Sequence, residues 1–211
     1  MRYKRFPLGA LWTNGYLFWD DETREAFFVD PGGKTKDVTD FMAASNLTLK
    51  MIILTHGHID HTAGIPELLQ FTGGNICIHS GDSEMLRKPS MELQELLGVR
   101  FAGVENFREI EDGTAIDFPG CSIKTIHTPG HTEGSVCYLI TGKDGHKVLL
   151  SGDTLFAQSV GRTDLEGGDD VKLEASLRRL AEFDDGLHVL PGHGPDTSIG
   201  SERELNPYWP R

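Results

Sequence analysis

The sequence predicts an α+β fold in which layered β-sheets are flanked by helices. Strand-like segments stand on both sides of helical segments, a pattern typical of sheets that helices cover. The chain has 211 residues, of which 38% are hydrophobic and 25% charged, so it can bury a sizeable core and is not disordered. No proline- or serine-rich linker interrupts it, and typical domains run to about 100–200 residues. We therefore expect a single domain over residues 1–211.

The first half of the chain alternates strands with helices. Residues 11–19 are rich in aromatic side chains and predict a strand with a break at 14–15. A second strand is predicted over Glu25–Val29, where it meets a turn that begins at Asp30. The apolar run at 51–54 is typical of a strand covered on both faces. The other elements predicted in this half are helices at 35–44, 66–71, 82–87 and 91–97 and a strand at 75–79.

The second half repeats this alternation and contains the clearest helix, at 170–183. Leu173, Leu177 and Leu180 share one face of that helix. The glycine-containing segment 141–145 predicts a hairpin loop. The strands predicted in this half lie at 114–118, 122–127, 135–140, 147–150 and 188–190.

Charge and cysteine content narrow the partners and the compartment. The chain has 20 Lys and Arg against 32 Asp and Glu, a net charge of −12, which repels phosphate backbones and anionic membranes. Because residues 1–14 include no apolar stretch long enough for a signal peptide, and no apolar run of about 18 residues occurs in the sequence, we expect neither a signal peptide nor a membrane span. Three widely spaced cysteines, each among apolar neighbours, fit buried thiols in a reducing compartment. We expect a cytoplasmic monomer or homodimer that acts on a small molecule, with no nucleic-acid or membrane partner.

Histidines and aspartates at strand ends are the informative residues for function. His56 and His58 are two apart in an extended segment, so their rings point the same way and can hold one ion. Asp60 and His61 come next, where the chain turns toward a helix, and they should face a different direction.

Three further candidates, His131, Asp153 and His193, each lie beside a predicted strand in a glycine-containing turn. Together the seven side chains exceed what a closed structural zinc site needs. Nitrogen and oxygen ligands in this number suit two metal ions with an open position for water between them.

The segment from Thr55 to His61, with the later His131, Asp153 and His193, resembles the metallo-β-lactamase fold superfamily. The resemblance implies an αβ/βα four-layer sandwich of two mixed β-sheets flanked by helices, with the metals at the open edge between the sheets. It also implies which residues serve each ion: His56, His58 and His131 at the first, Asp60, His61 and His193 at the second, and Asp153 as the bridge. The implied cofactors are two divalent ions, zinc in the first place, with iron or manganese as alternatives.

Flanking residues resemble the short bacterial glyoxalase II-like subgroup of that superfamily. Residues 151–156 and 160–164 carry this resemblance. Class B β-lactamases most often have a cysteine where Asp153 stands, which disfavours antibiotic hydrolysis. The nucleases of the superfamily have an inserted domain for which this chain has no room. Arg162 is placed to bind a substrate carboxylate, or alternatively to pair with Asp164.

The subgroup implies a metal-dependent thioesterase that cleaves S-(2-hydroxyacyl)glutathione-type thioesters. A hydroxide that bridges the metals would attack the thioester carbonyl, with Asp60 and Asp153 as catalytic residues. Asp30 would accept a hydrogen bond from a ligand histidine, or alternatively cap its turn.

Three other functions stay open at this point. A persulfide dioxygenase with one iron on His56, His131 and Asp153 is the first, and a lactonase or phosphodiesterase of the same fold is the second. A non-catalytic metal-binding module is the third, and it is disfavoured because no ligand is missing.

Overall fold

Two six-stranded sheets form the centre of the computed structural model, which describes residues 1–210. The first sheet has the strand order β1-β2-β3-β4-β5-β6 and the second has the order β14-β13-β10-β9-β8-β7. Both sheets are mixed: β1 to β3 pair antiparallel while β3 to β6 pair parallel, and β10 pairs parallel with β13 in an otherwise antiparallel second sheet. The strands of the first sheet are β1 (Arg2–Leu8), β2 (Thr13–Trp19), β3 (Glu25–Val29), β4 (Thr48–Ile53), β5 (Ile76–His79) and β6 (Arg108–Ile110).

The second sheet is built from the C-terminal half of the chain. Its strands are β7 (Ala115–Phe118), β8 (Cys121–His127), β9 (Val136–Gly142), β10 (Lys147–Gly152), β13 (His188–Pro191) and β14 (Thr197–Ser198). A separate two-stranded ribbon pairs β11 (Leu155–Phe156) with β12 (Ser159–Val160). The helices are α1 (Lys36–Ala44), α2 (Ile59–Thr62), α3 (Ile65–Thr72), α4 (Ser83–Arg87), α5 (Met91–Leu97), α6 (Asp170–Leu180) and α7 (Ile199–Leu205), with a 3₁₀ turn at Ser80–Asp82.

Alternating side chains divide the interior into three apolar layers. Tyr16 and Phe18 of β2 face the second sheet, where they join Tyr138 and Val148 in the central core. Leu17, between them, points the other way, into the core that the helices α1 and α3 cover. A third core lies under α6 and α7 on the outer face of the second sheet. The predicted αβ/βα four-layer sandwich is therefore confirmed, because strand alternation gives each sheet two apolar faces.

The strand predicted at 11–19 differs from the structure in one respect. β2 begins at Thr13 and runs without a break through Asn14 and Gly15. Gly15 pairs with Phe6 of β1, and the side chains of Leu8 and Phe28 fill the space above it. A glycine in this strand therefore marks close packing, not a turn.

None of the helices in residues 1–210 is long and apolar enough to cross a membrane. The three cysteines are free and buried, as the sequence predicts.

Candidate metal centre

Three histidines meet at one edge of the sandwich. His56 and His58 lie in the connection between β4 and α2, and His131 lies in the turn after β8. Nε2 of His56 is 3.1 Å from Nδ1 of His58, which is itself 2.9 Å from Nε2 of His131. All three side chains are buried, so their ring nitrogens face one another away from bulk water.

A second group lies beside the first. Asp60 and His61 belong to the short helix α2, and His193 follows β13. Nε2 of His61 is 3.2 Å from Nε2 of His193, which is 3.3 Å from Oδ2 of Asp60. The sequence places Asp60 and His61 where the chain turns into a helix, and that turn aims them at His193.

Asp153 stands between the two groups. Its Oδ1 is 3.3 Å from Nε2 of His61, and its Oδ2 is 3.6 Å from Nε2 of His131 and 3.5 Å from Nε2 of His193. The pairing of β10 with β13 shifts register before Gly152, whose φ is +49°, and this bulge turns the Asp153 side chain toward the histidines. All seven candidates from the sequence therefore lie in one cluster.

Backbone carbonyls fix the tautomers of two histidines. Nδ1 of His131 donates to the carbonyl oxygen of Arg162 at 2.7 Å, and Nδ1 of His193 donates to the carbonyl oxygen of Leu11 at 3.2 Å. Because a neutral imidazole has one N–H, the Nε2 atoms of both rings keep a lone pair that points into the cluster.

The carboxylate of Asp30 fixes the tautomers of two more histidines. Asp30 Oδ2 accepts a hydrogen bond from Nδ1 of His61 at 3.0 Å and another from the Thr55 hydroxyl at 2.6 Å. Since the Thr55 proton is used in this way, its oxygen accepts from Nδ1 of His56, 3.1 Å away. His56 thus also presents an Nε2 lone pair to the cluster, and His61 presents one once it has lost its Nε2 proton, as metal binding requires.

This arrangement fits metal ions. Imidazole nitrogens bound tetrahedrally to one zinc at about 2.0–2.1 Å lie about 3.3–3.4 Å from each other, and the nitrogen separations of 2.9 and 3.1 Å in the first group are slightly shorter than this spacing. Facing lone pairs repel unless a cation or a proton lies between them. Oδ1 of Asp153 is buried and has no hydrogen-bond partner in the described chain, so it too is free to bind a cation. The donor set of imidazoles and carboxylates suits zinc, iron or manganese alike.

Burial and neighbouring charges set the protonation of these groups. Burial, with the neighbouring imidazoles, lowers the pKa of His56 far below its usual value and that of His58 to about 4, so both rings are neutral and able to bind metal. Burial raises the pKa of Asp60 and Asp153, but adjacent histidines outweigh it and the net shift is downward. Burial lowers the pKa of His61, but the surrounding carboxylates raise it by more, so the net shift is upward. The cluster as folded attracts positive charge.

Comparison with known proteins agrees with this geometry. The sequence model of the Metallo-beta-lactamase superfamily matches residues 9–193. The chain belongs to this superfamily. Its membership supports a metal-dependent hydrolase and identifies the histidine and aspartate cluster as one of a metal-binding type.

Relatives of the chain within the superfamily match it over nearly its whole length. An uncharacterized protein of Mycobacterium leprae is 37% identical over 96% of each chain. The hydroxyacylglutathione hydrolase GloC of Haemophilus influenzae is 32% identical, over 99% of this chain and 98% of that one.

Solved structures of the superfamily superpose closely on the chain. BLEG-1, a B3 metallo-beta-lactamase, has a TM-score of 0.88 at 32% identity, covering 99% of both chains. TTHA1623 in a di-iron-bound form has a TM-score of 0.86 at 30% identity, covering 97% of this chain and 99% of its own. ETHE1 from Myxococcus xanthus has a TM-score of 0.77 at 28% identity, covering 98% of this chain and 84% of its own.

Asp82 joins the two histidine-bearing segments of this superfamily member. It is buried and accepts hydrogen bonds from the backbone N–H of Gly57 at 2.8 Å, the Thr132 hydroxyl at 2.7 Å and the backbone N–H of Gly134 at 2.7 Å. Gly57 separates the first two histidines, and Thr132 follows the third. The sequence did not reveal this role, because an aspartate at the start of a predicted helix is expected to cap it, and this one caps nothing.

The turn that contains His193 is held by β2. The Asn14 side-chain amide donates to the carbonyl oxygens of Pro191 at 3.0 Å and Gly194 at 2.9 Å, and the Tyr16 hydroxyl donates to Pro191 at 2.8 Å. Gly192 is packed so tightly that a Cβ there would overlap Oδ1 of Asp153. These two polar residues of β2, which the sequence does not single out, connect the first sheet to the turn that carries His193.

A cavity of about 580 Å³ opens above the cluster. Its wall includes Arg162, whose exposed guanidinium forms two hydrogen bonds of 2.6 and 2.7 Å with the carboxylate of Asp164. The alternative pairing expected from the sequence is therefore present, and a role of Arg162 in substrate binding stays a prediction. The residues that line the cavity are Ala10, Leu11, His58, Ile59, Asp60, Leu93, Leu96, Leu97, His131, Asp153, Arg162, Leu165 and His193.

Proposed function

We propose that the protein hydrolyses thioesters of the S-(2-hydroxyacyl)glutathione type in a metal-dependent reaction. The observation that carries the proposal is the complete set of seven metal-ligand groups at the floor of a cavity large enough for a small molecule. The similarity to a hydroxyacylglutathione hydrolase over nearly the whole of both chains supports the substrate class.

The proposed ligand sets follow the two groups of the cluster. His56, His58 and His131 would hold one divalent ion, Asp60, His61 and His193 the other, and Asp153 would contact both. Bound divalent ions lower the pKa of water and polarise a carbonyl oxygen, which is the chemistry that ester hydrolysis needs. Zinc is the proposed ion, and the di-iron-bound neighbour supports iron as an alternative.

The side chains around the cluster have distinct proposed tasks. Asp60 lines the cavity and stays ionised because the adjacent histidines lower its pKa, so its carboxylate can orient a water molecule. Arg162 uses Nε and Nη2 for Asp164, and Nη1 remains to bind a carboxylate of the thiol carrier. Asp30 keeps His61 in the tautomer that presents Nε2.

Metal analysis beside a thioesterase assay tests the proposal. We expect nearly two metal ions per chain after purification without added metal, and turnover of S-D-lactoylglutathione that Asp60→Asn reduces about 100-fold or more. Arg162→Ala should raise KM for this substrate with little change in kcat. A protein with both sites loaded that cleaves no thioester would overturn the proposal, and its hydrolysis of a β-lactam, a lactone or a phosphodiester would identify the replacement.

A persulfide dioxygenase is the second candidate. The similarity to ETHE1 favours it, and it would need one iron on His56, His131 and Asp153. His131 and Asp153 approach to 3.6 Å, so the structure also accommodates this smaller set. A single iron per chain, oxygen uptake with glutathione persulfide and no thioester hydrolysis would establish this function instead.

We also propose that residues 1–211 form one domain and that the protein works in the cytoplasm, in keeping with its free buried thiols. Size-exclusion chromatography with light scattering will distinguish a monomer from a homodimer.

A further inference from the structure

The helix α5 has an unusual distribution of polar and apolar residues. Gln94 is buried, where its side-chain oxygen accepts from the backbone N–H of Phe101 at 2.9 Å and its amide donates to the carbonyl of Pro89 at 3.2 Å. Leu96, by contrast, is 77% exposed and belongs to none of the three apolar cores. Helices of globular proteins usually show the opposite pattern. Folding alone therefore gives no reason for a leucine at position 96.

The exposed leucine borders the cavity above the metal cluster. Leu93, Leu96 and Leu97 of α5 form one wall, which Leu165 and Leu11 extend. Leu11 is itself 51% exposed. An apolar wall that surrounds a few polar groups is typical of a small-molecule site. The floor of this cavity is the cluster, so a molecule whose reacting group lies at the metals would place an adjoining group against the leucines.

The loop that carries Leu11 is held in a strained conformation at the same rim. Trp12 has a φ of +57° and its side chain is 71% exposed. A bulky residue in this region of the backbone is rare and persists where surrounding contacts enforce it. One such contact is the hydrogen bond from His193 to the Leu11 carbonyl. The contact fixes the apolar rim relative to the metal ligands.

The charged side chain of Arg162 and the leucines of α5 lie at different parts of the cavity wall. Arg162 is the one lysine or arginine that lines it in the described chain, and its carboxylate partner Asp164 lies beside it. Arg162 also borders a second hollow, which is lined by residues 159–163, Asp170, Glu174 and Tyr208 among others and by no residue of α5. The side chains of Leu96 and Leu97 offer no partner for a charged or hydroxylated group, which would lose its hydration there, whereas polar groups such as Lys88 line a neighbouring hollow beyond Leu93.

We propose that the leucine wall is a subsite for an extended apolar acyl chain. The inference rests on the proposed thioesterase function: with the thioester carbonyl at the cluster and the thiol carrier toward Arg162, the acyl group lies against Leu93, Leu96 and Leu97. The preferred substrate is then a thioester whose acyl chain continues for several methylenes beyond the carbonyl, and the short lactoyl group leaves the wall uncovered.

Two substrates that differ only in chain length test this proposal. We expect kcat/KM for S-hexanoylglutathione to exceed that for S-acetylglutathione at least tenfold, since a single methylene group in an apolar pocket changes kcat/KM about 10- to 200-fold. Leu96→Asp should abolish most of this ratio by lowering kcat/KM for the hexanoyl substrate. Leu205→Asp is the matched control, because Leu205 is also exposed but lies on α7 outside the cavity. It should leave the ratio unchanged.

The outcomes separate this inference from the function on which it rests. Hydrolysis of S-D-lactoylglutathione with equal rates for the acetyl and hexanoyl substrates would overturn the subsite and leave the thioesterase standing. If no thioester is cleaved, the thioesterase fails, and binding of the neutral apolar dye N-phenyl-1-naphthylamine decides the subsite. Binding that Leu96→Asp weakens at least tenfold, and Leu205→Asp does not, supports an apolar ligand site. Equal binding by the two variants overturns it.

Discussion

Asp30 shows how one residue can determine the chemistry of its neighbours. Its carboxylate accepts from the Thr55 backbone N–H at 2.8 Å, the Thr55 hydroxyl and His61 Nδ1, and the last two contacts orient His56 and His61. Its φ is +52°, a conformation in which aspartate and asparagine are enriched among non-glycine residues. The turn that the sequence predicts after β3 therefore places the Asp30 carboxylate against Thr55 and His61.

Asp30→Asn should weaken metal binding about 10- to 100-fold. Asparagine tolerates the same backbone conformation, but its NH₂ group must face either the Thr55 N–H or the donors of Thr55 and His61. In the first orientation the buried Thr55 N–H is left without an acceptor, and in the second His61 loses the acceptor that fixes its tautomer. Competition for zinc with a chromophoric chelator measures the change. Asp40→Asn, an exposed position on α1, is the control, and equal affinities for both variants would contradict the role of Asp30.

The cysteines lead to a second prediction for single residues. Burial raises the pKa of Cys121 and Cys137 to about 11, and it raises that of Cys77 as well. Because the thiolate is the reactive form, a disulfide reagent at pH 8 should modify none of them in the folded protein and all three in guanidinium chloride. Rapid modification of one thiol before unfolding would show that a cysteine is reached by solvent.

At the scale of secondary-structure elements, the sequence predicts those that bury an apolar face and misses those that are exposed. Glu25–Val29 and the helix Met91–Leu97 lie where their patterns predict them. The edge strands Arg2–Leu8 and Arg108–Ile110 were missed, because they expose most of their side chains and carry charged residues, so they lack an apolar run. Their pairing depends on the neighbouring strand, which a local pattern does not contain.

In the candidate site, too, local sequence patterns predict some of the groups, and the fold alone selects the others. Residue type and spacing were enough to select the seven members of the cluster from the sequence. The carbonyl groups of Leu11 and Arg162, which orient His193 and His131, could not be found, since every residue has a carbonyl group and only the fold selects one. The role of Asp82 could not be predicted for a related reason: its three hydrogen-bond donors lie 25 to 52 positions away in the sequence.

Asp82→Ala should therefore disturb two segments together. It leaves the buried N–H groups of Gly57 and Gly134 without acceptors, at about 1–3 kcal/mol for each. We expect the melting temperature to fall by roughly 10 °C, since 1 kcal/mol corresponds to about 2–4 °C in a chain of this size. The variant should also retain less metal. Circular dichroism and metal analysis measure the two effects, with the exposed Asp117→Ala of β7 as the control. Normal metal content in a destabilised variant would limit Asp82 to a structural role.

At the scale of the whole molecule, the fold concentrates unsatisfied charge and lone pairs at one edge of the sandwich. The chain as a whole carries a net charge of −12, and four Nε2 lone pairs with two carboxylates converge where both sheets end. The two halves of the chain each contribute candidate ligands: the first sheet supplies those around α2, and the second supplies His131, Asp153 and His193. A bound cation therefore connects the sheets as well as neutralising the cluster.

Removal of metal should lower the stability of the entire chain. A ligand that binds only the folded state at about 1,000 times its Kd adds about 4 kcal/mol, so a strong chelator should reduce the melting temperature by roughly 10 °C. Added zinc should restore it. His58→Ala, which lacks one ligand, should respond less to either treatment, and sodium chloride at matched ionic strength should not replace zinc, because screening does not fill the space between facing lone pairs. An unchanged melting temperature, with elemental analysis showing that the metal has left, would mean that protons and the hydrogen bonds of Asp30 and Asp82 hold the edge together without a cation.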